Sequence, residues 1–171
     1  MPTTQPPAFS SIADDDVKRA FVGGGPEIVA WLDAGTKLFK WAQSITTPRG
    51  ISAWWQLLES RRLGSGVFCP GIQEFQEYAA RLDIHERDYA RVRTAVTEEW
   101  NKMTTPVAIE LATGAWGYIG KAAGQLRTLA DPKVFFIGGE YQVWVPGLIA
   151  NDIRHISLLP YLLPNSPFHP R

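Results

Sequence analysis

The sequence predicts a single α+β domain, with helices in the N-terminal half of the chain and antiparallel strands in the C-terminal half. The chain has 171 residues, the length of one typical domain, and 45% of them are hydrophobic, which is enough to build a buried core. Apolar residues recur at helical spacing over 72–102, whereas after Pro106 they come in short runs separated by Gly, Pro or Asp. We therefore expect one compact unit over 18–171.

The N-terminal region is expected to begin with a flexible arm over 1–17, because prolines stand there among Thr, Gln and Ser residues. Three consecutive glycines then precede Pro26, which suits the first turn of a short helix. This helix is expected to run through Leu32 and to close near Gly35. The mixed Lys and apolar residues of 36–42 favour a strand.

A short helix is expected next, with Ser52 as its cap and Trp54 and Trp55 in its first turns. It is expected to end before the glycines at 64 and 66. The run 67–69 predicts at most a brief strand.

Two longer helices are predicted over 72–82 and 86–102, where apolar residues recur every three or four positions. The stripes that we expect to be buried are Phe75, Tyr78 and Leu82 on the first helix and Val92, Val96 and Trp100 on the second. Strands are predicted for the later apolar runs at 107–111, 116–119, 134–137 and 141–145.

Charge and cysteine content exclude several classes of function. Lys plus Arg and Asp plus Glu both number 17, so the net charge is zero and no overall field attracts nucleic acid or an anionic membrane. The one cysteine, Cys69, excludes an internal disulfide framework and a Cys-based metal cluster within one chain. The N-terminus lacks a signal-peptide pattern, and no apolar run approaches the ~20 residues of a membrane span.

A paired glycine enters an alternating strand at Gly138 and Gly139, and this segment is the strongest candidate for a site. In a strand, Glu140 and Gln142 share one face, and the opposite face carries Tyr141, Val143 and Val145, which we expect in the core. A carboxylate and an amide would then project together beside glycines that let a ligand approach the backbone. Such a pair can hold ribose hydroxyls. The alternative is an edge strand whose polar residues face water.

The pattern Gly138-Gly139-x-x-Gln142, on a late strand ending in Pro146, resembles the last conserved block of the ADP-ribosyltransferase-fold toxins. The resemblance is to the NAD-glycohydrolase branch of tuberculosis-necrotizing-toxin type in particular. In the transferase branch this block is similar to a Glu-or-Gln, any residue, Glu pattern. Its first position reads the acceptor, here Glu140, and its last position holds the nicotinamide ribose, here Gln142.

Two earlier blocks extend the resemblance. The run 38–40, Leu-Phe-Lys, resembles the family's Leu-Tyr-Arg block, with Lys40 standing where the family has arginine. The run 49–55 is similar to the block in which Ser or Thr precedes aromatic residues, with Ser52 matching. Order and approximate spacing agree from Lys37 to Pro146, about two-thirds of the chain.

The resemblance implies an ADP-ribosyltransferase-like fold and a bacterial toxin or effector domain that cleaves NAD as its substrate without a metal. It hydrolyses the nicotinamide–ribose bond or passes ADP-ribose to an acceptor; Gln142 favours hydrolysis and Glu140 keeps transfer open. The residues expected to act in catalysis are Gln142, Glu140 and Ser52. The residues expected to bind NAD are Lys40, Arg49, Trp54, Trp55, Gly138 and Gly139.

These roles make chemical sense, because cleavage of this bond passes through an oxocarbenium-like transition state. Hydroxyl contacts from Gln142 would strengthen as charge develops, Lys40 or Arg49 would meet the pyrophosphate, and a tryptophan would wall the nicotinamide. We therefore expect Gln142 and Glu140 to open into one cleft with Ser52 and at least one of the two cations.

Expected partners are NAD and a cognate immunity or acceptor protein, in the cytoplasm or in the cytosol of a target cell. The alternative function is a non-enzymatic protein-binding module, an immunity or assembly component, that uses an aromatic-rich surface. The seven tryptophans suit such an interface. A concave cleft that joins Trp54, Trp55 and Trp144 to Gln142 would favour the enzyme, and a flat apolar patch would favour the partner.

Overall fold

The fold is built on an antiparallel sheet. This computed structural model describes residues 4–42, 54–64, 66–96, 102–103, 105–127 and 134–164. The strands of the sheet within these ranges are β1 (Ile28–Leu32), β2 (Lys37–Ala42), β3 (Trp54–Leu57), β6 (Thr105–Leu111), β7 (Ala115–Lys121), β10 (Tyr141–Trp144) and β11 (Ile153–Ile156). They lie in the order β1-β7-β10-β3-β2-β6-β11. Two small hairpins stand outside it, β4 (Arg61–Leu63) with β5 (Val67–Cys69) and β8 (Gln125–Arg127) with β9 (Val134–Phe136).

Four α-helices accompany the sheet in the described part of the chain. They are α1 (Phe9–Ile12), α2 (Asp15–Ala20), α3 (Ile72–Arg81) and α4 (Glu86–Arg93). The chain is therefore a single α+β domain, as the pattern of apolar residues predicted, with a large antiparallel sheet and few helices. The division into a helical and a strand-rich half is wrong, because β1 to β5 all precede α3.

The two faces of the sheet are buried against different elements. On the first face, Leu38, Trp55 and Val143 belong to a core that includes Cys69 of β5. On the second face, one half of the sheet packs against α3 and α4 through Phe39 and Trp41. The other half packs, through the side chains of β7 and β10, against the N-terminal segment that contains α1 and α2. Interior strands thus direct apolar side chains to both faces, so their sequences lack the alternation of apolar and polar residues that usually marks a strand.

Two segments that were expected to be helical are strands. The apolar run of β1 pairs with β7 along its whole length, and Leu32 is fully buried. β3 lies between β10 and β2, and Trp55 and Leu57 enter the core. Apolar runs of four or five residues do not reveal their period, so burial on both faces decides their structure.

The predicted helix over 72–82 is confirmed in α3. The Gly71 N–H donates to the Glu74 carboxylate at 2.9 Å, which satisfies a group at the helix start, and Phe75 is buried. Tyr78 is half-buried. Leu82, however, lies beyond the last turn and is 62% exposed, so its expected burial is wrong.

The second predicted helix, over 86–102, is shorter than expected. α4 ends at Arg93, and Ala95 then takes a left-handed conformation with φ of 53° that stops the helix. Val92 and Val96 are half-buried, and Trp100 lies outside the described residues.

The N-terminal arm is not extended where the structure describes it. Asp14 caps α2 by accepting from the Val17 N–H at 2.8 Å. Phe9 and Ala13 pack against the second face of the sheet, and the Tyr118 hydroxyl donates to the Pro7 carbonyl at 2.7 Å. Apolar contacts that a proline-rich composition does not reveal therefore fix the arm from Pro7 onward.

Candidate functional site

The blocks that carry the resemblance come together in the sheet. Lys40 lies on β2, Trp54 and Trp55 on β3, and Gln142 on β10, and these three strands are neighbours in the order β10-β3-β2. Trp54 and Gln142, about 90 positions apart in sequence, thus lie on adjacent strands. Ser52 and Arg49 lie outside the described residues, so their expected roles stay predictions.

The register separates these residues onto two faces. The Lys40 ammonium lies 4.1 Å from the centre of the Trp55 ring, and Trp55 is paired with Val143 on the first face. Gln142, one residue before Val143, points to the second face. The expected single cleft is therefore wrong for Lys40 and Gln142.

Lys40 is a largely buried cation. Burial lowers the pKa of its ammonium to about 8 from an ordinary 10.5. The Trp55 ring, whose face carries negative charge density, attracts the ammonium without compensating fully for the lost water. At pH values below this pKa, Lys40 places a poorly hydrated positive charge on the first face beside Trp55.

Gln142 is covered by the N-terminal segment and is 3% exposed. Its side-chain amide donates to the Ala20 carbonyl at 3.0 Å. The neighbouring Trp54 meets the Phe21 ring edge-on, with ring centres 4.9 Å apart, and Trp144 packs in the same cluster. The two tryptophans therefore share a face with Gln142, but under protein rather than in an open cleft. β10 is also not an edge strand, so the water-facing alternative for this strand is wrong.

A glycine turn positions Glu140 before β10. Gly138 and Gly139 both have left-handed φ values, 66° and 91°, which glycine adopts without strain. The Gly138 N–H donates to the Val92 carbonyl at 3.0 Å, and the Glu140 N–H donates to the Arg93 carbonyl at the same distance. The turn is therefore held against the end of α4.

The Glu140 carboxyl is 9% exposed and has two hydrogen-bond donors. The Tyr89 hydroxyl lies 3.4 Å from one oxygen, and the Tyr141 N–H lies 3.2 Å from the other. Burial raises the pKa of this carboxyl, although the Tyr141 N–H and the Arg93 cation oppose the rise. Burial likewise raises the pKa of Tyr89 to about 12.

Tyr89 and Arg93 are the members of this cluster that sequence reasoning missed. Tyr89 enters the core, but its hydroxyl reaches Glu140. No sequence signal singled out Arg93. Both residues reach Glu140 because α4 packs beside the glycine turn, and a tertiary contact of this kind leaves no local pattern.

The described residues contain no metal-binding cluster, no reactive thiol and no helix that could span a membrane. No group of three or more His, Cys, Asp or Glu side chains in these ranges is placed to hold a metal. Cys69 is buried, and burial raises the pKa of its thiol to about 11, which is typical of a structural and not of a reactive cysteine. In the same part of the chain, no helix has the length and apolar character of a membrane span.

The chain matches no protein-family model and no curated protein. Among solved structures it is similar to a chain in the structure of Tne2 in complex with Tni2. The TM-score is 0.50 and the sequence identity 11%, over 81% of this chain and 93% of that chain. At this identity the similarity shows a shared fold.

Proposed function

We propose that this chain is a NAD-cleaving effector domain that hydrolyses the nicotinamide–ribose bond. The observation that supports the proposal is the adjacency of β2, β3 and β10, which carry the blocks that resemble ADP-ribosyltransferase-fold toxins. The fold similarity to a chain of the Tne2–Tni2 structure agrees with a domain of this size. Transfer of ADP-ribose to a protein acceptor is the variant of the same reaction that Glu140 would serve.

In the hydrolysis, the bond between nicotinamide and ribose breaks, and nicotinamide leaves with the bonding electrons. Water adds its oxygen to the ribose carbon and loses a proton. Ionised Glu140 would offset the positive charge that develops on the ribose, and Gln142 would hold a ribose hydroxyl. Because the Gln142 amide is bonded to Ala20, this contact requires the N-terminal segment to move away from β10.

Lys40 lies on the first face beside Trp55, opposite Gln142, so a NAD molecule whose ribose meets Gln142 does not reach it. We therefore assign the pyrophosphate to the other cation of the resemblance, Arg49, and one hydroxyl contact to Ser52. Gly138 and Gly139 would lie near the ligand, because their turn places backbone without side chains next to Glu140. These assignments come from the resemblance.

The test is the release of free nicotinamide from NAD by the purified chain, with no metal added. Gln142→Ala and Glu140→Gln are each expected to lower kcat by about 10²–10³-fold, the cost of removing one contact made in the transition state. Gln73→Ala changes an exposed glutamine on α3 and is the matched control, with unchanged turnover expected. Circular dichroism of each variant separates lost chemistry from lost fold.

A second candidate function is a non-enzymatic protein-binding module. It is favoured by the similar solved structure, in which Tne2 is in complex with Tni2. If the wild-type chain leaves NAD intact, both in buffer and with cell extract as a source of acceptors, the enzymatic proposal fails. The binding function then takes its place.

A further inference from the structure

An apolar groove lies on the surface of the helical pair, away from the strands that carry Lys40 and Gln142. It runs between the end of α3 and α4, has a volume of about 450 Å³, and we call it the α3–α4 groove. Its lining consists of Tyr78, Arg81, Leu82, Ile84, Tyr89, Val92, Arg93 and Ile137.

The groove exposes large apolar side chains that a monomer ordinarily buries. Leu82 is 62% exposed, Ile137 is 59% exposed, and Ile84 is also exposed. The exposed apolar residues do not end at the groove, since Phe135 and its cross-strand neighbour Leu126 are exposed on the β8–β9 hairpin. An apolar area that extends past one pocket indicates a macromolecular partner rather than a small ligand.

The backbone at the end of α3 directs these side chains outward. Asp83 has φ of 53°, a left-handed conformation that aspartate adopts more readily than most residues with a side chain. The Ile84 N–H donates to the Ala79 carbonyl at 3.0 Å and the Asp83 N–H to the Ala80 carbonyl at 3.2 Å. This is the hydrogen-bond pattern of a helix-ending Schellman turn. The turn fixes Leu82 and Ile84 in place, so a partner meets a preformed surface.

The charge of the groove identifies the chemistry of its partner. The two lining residues that carry a fixed charge are both cations, Arg81 and Arg93; Arg93 also acts on the Glu140 carboxyl, so Arg81 provides the stronger attraction for a partner. The Arg81 guanidinium lies 5.8 Å from the centre of the Tyr78 ring and is exposed at the rim. A segment that buries apolar side chains here therefore gains from carboxylates placed beside them.

We propose that the α3–α4 groove binds a short acidic segment of a partner protein, with aliphatic or aromatic side chains in the groove and carboxylates against Arg81 and Arg93. Tyrosine and arginine, which both occur in the lining, are among the residue types that most often dominate binding energy in protein interfaces. The groove shares Tyr89 and Arg93 with the Glu140 cluster, but Arg81 and Leu82 lie outside that cluster, so the effect of changing them on peptide binding does not depend on NAD cleavage.

The test uses a phage-displayed library of random 12-residue peptides, selected on the wild-type chain after depletion on the Arg81→Glu variant. Enriched peptides are expected to carry net negative charge together with aliphatic or aromatic residues. A synthetic copy of one such peptide, labelled with fluorescein, is then titrated with each variant and followed by anisotropy. Arg81→Glu and Leu82→Asp are each expected to weaken its binding at least tenfold.

The matched control is Arg61→Glu, which reverses an exposed arginine on the β4–β5 hairpin and is expected to bind like the wild type. Enrichment of neutral or basic peptides, equal binding by all variants, or no enrichment overturns the proposal. Light scattering is run on the same samples. A wild-type dimer that Leu82→Asp converts to a monomer would show that a second copy of this chain occupies the groove, and would also overturn it.

Discussion

Two opposing effects determine the pKa of a single, largely buried lysine on the first face, Lys40. The ring of Trp55, 4.1 Å from the Lys40 ammonium, attracts the cation, whereas burial removes the water that would stabilise it. Burial is the larger effect, since it brings the pKa of Lys40 to about 8. The folded chain therefore gives up this proton more readily than the unfolded chain.

Stability should consequently rise with pH through this group. The unfolded chain binds more protons than the folded chain between the folded pKa of about 8 and the ordinary 10.5, so the free energy of unfolding increases as pH rises through that window. From pH 7 to 9 we expect a gain of about 1 kcal/mol, measured by urea denaturation, and no such gain in Lys40→Met. Lys121→Met, at an exposed lysine, is the control and should keep the gain. Equal pH slopes in wild type and Lys40→Met would contradict the assignment.

The turn before β10 is held by its neighbours on two sides. Gly138 bonds to the end of α4, and the Gly139 N–H donates to the Ala122 carbonyl at 2.8 Å. A Cβ added at Gly138 would lie 2.4 Å from that carbonyl oxygen, closer than two such atoms approach. The surroundings of Gly138 leave no room for a larger residue, so the position of Glu140 depends on this glycine.

Gly138→Ala should destabilise the chain more than Gly35→Ala. Both glycines have positive φ, 66° and 88°, so both substitutions incur the left-handed penalty of about 1–2 kcal/mol. A methyl group added at Gly35 would face open space, whereas one added at Gly138 would overlap the Ala122 carbonyl and cost about 1–3 kcal/mol more through overpacking. Urea denaturation of the two variants measures the difference. Equal losses in the free energy of unfolding would show that the turn shifts to accept the added methyl group without further cost.

The N-terminal segment should contribute strongly to stability through Phe21. This ring is fully buried over Gly120 and against Trp54, so Phe21→Ala is expected to cost about 3–5 kcal/mol. The tryptophan emission should also shift to longer wavelength as Trp54 loses its cover. Val22→Ala, at the exposed neighbouring position, should change stability by less than about 0.5 kcal/mol. A small loss in Phe21→Ala would mean that the segment is only loosely attached.

The elements that sequence could predict were those with a clear period or clear boundaries. α3 was predictable from the helical spacing of its apolar residues. β2 was predictable because a glycine precedes it and lysines stand among its apolar residues. β1 and β3 were not, because runs of four or five apolar residues have no readable period and Pro26 imitates a helix start. For the site, strand alternation placed Val143 and Val145 in the core correctly, but the cover over Gln142 and the reach of Tyr89 to Glu140 depend on contacts between distant segments.

At the scale of the whole molecule, β10 joins the two parts of the sheet. On one side it pairs with β7, which carries β1, and on the other with β3, which leads to β2, β6 and β11. Its side chains enter both the first-face core and the N-terminal cluster. The middle of the sheet should therefore open only when the domain unfolds as a whole.

Amide hydrogen exchange followed by mass spectrometry tests this arrangement. Peptides from β10, β3 and β7 should exchange most slowly, at the rate of global unfolding, while β1, β11 and the β8–β9 hairpin should exchange faster by local opening. Uniform exchange across the strands would contradict a central role for β10.

The strand order also determines how long the early strands remain unpaired while the chain is synthesised on the ribosome. Ile28 of β1 pairs with Ile119, about 90 residues further along the chain, so β1 waits roughly 4–18 s for its partner at ordinary translation rates. β3 waits for β10 in the same way, and the nascent chain meanwhile exposes apolar strand edges that invite aggregation. A chain released before Trp144 would hold two unjoined fragments of sheet, and protein quality control should remove it quickly.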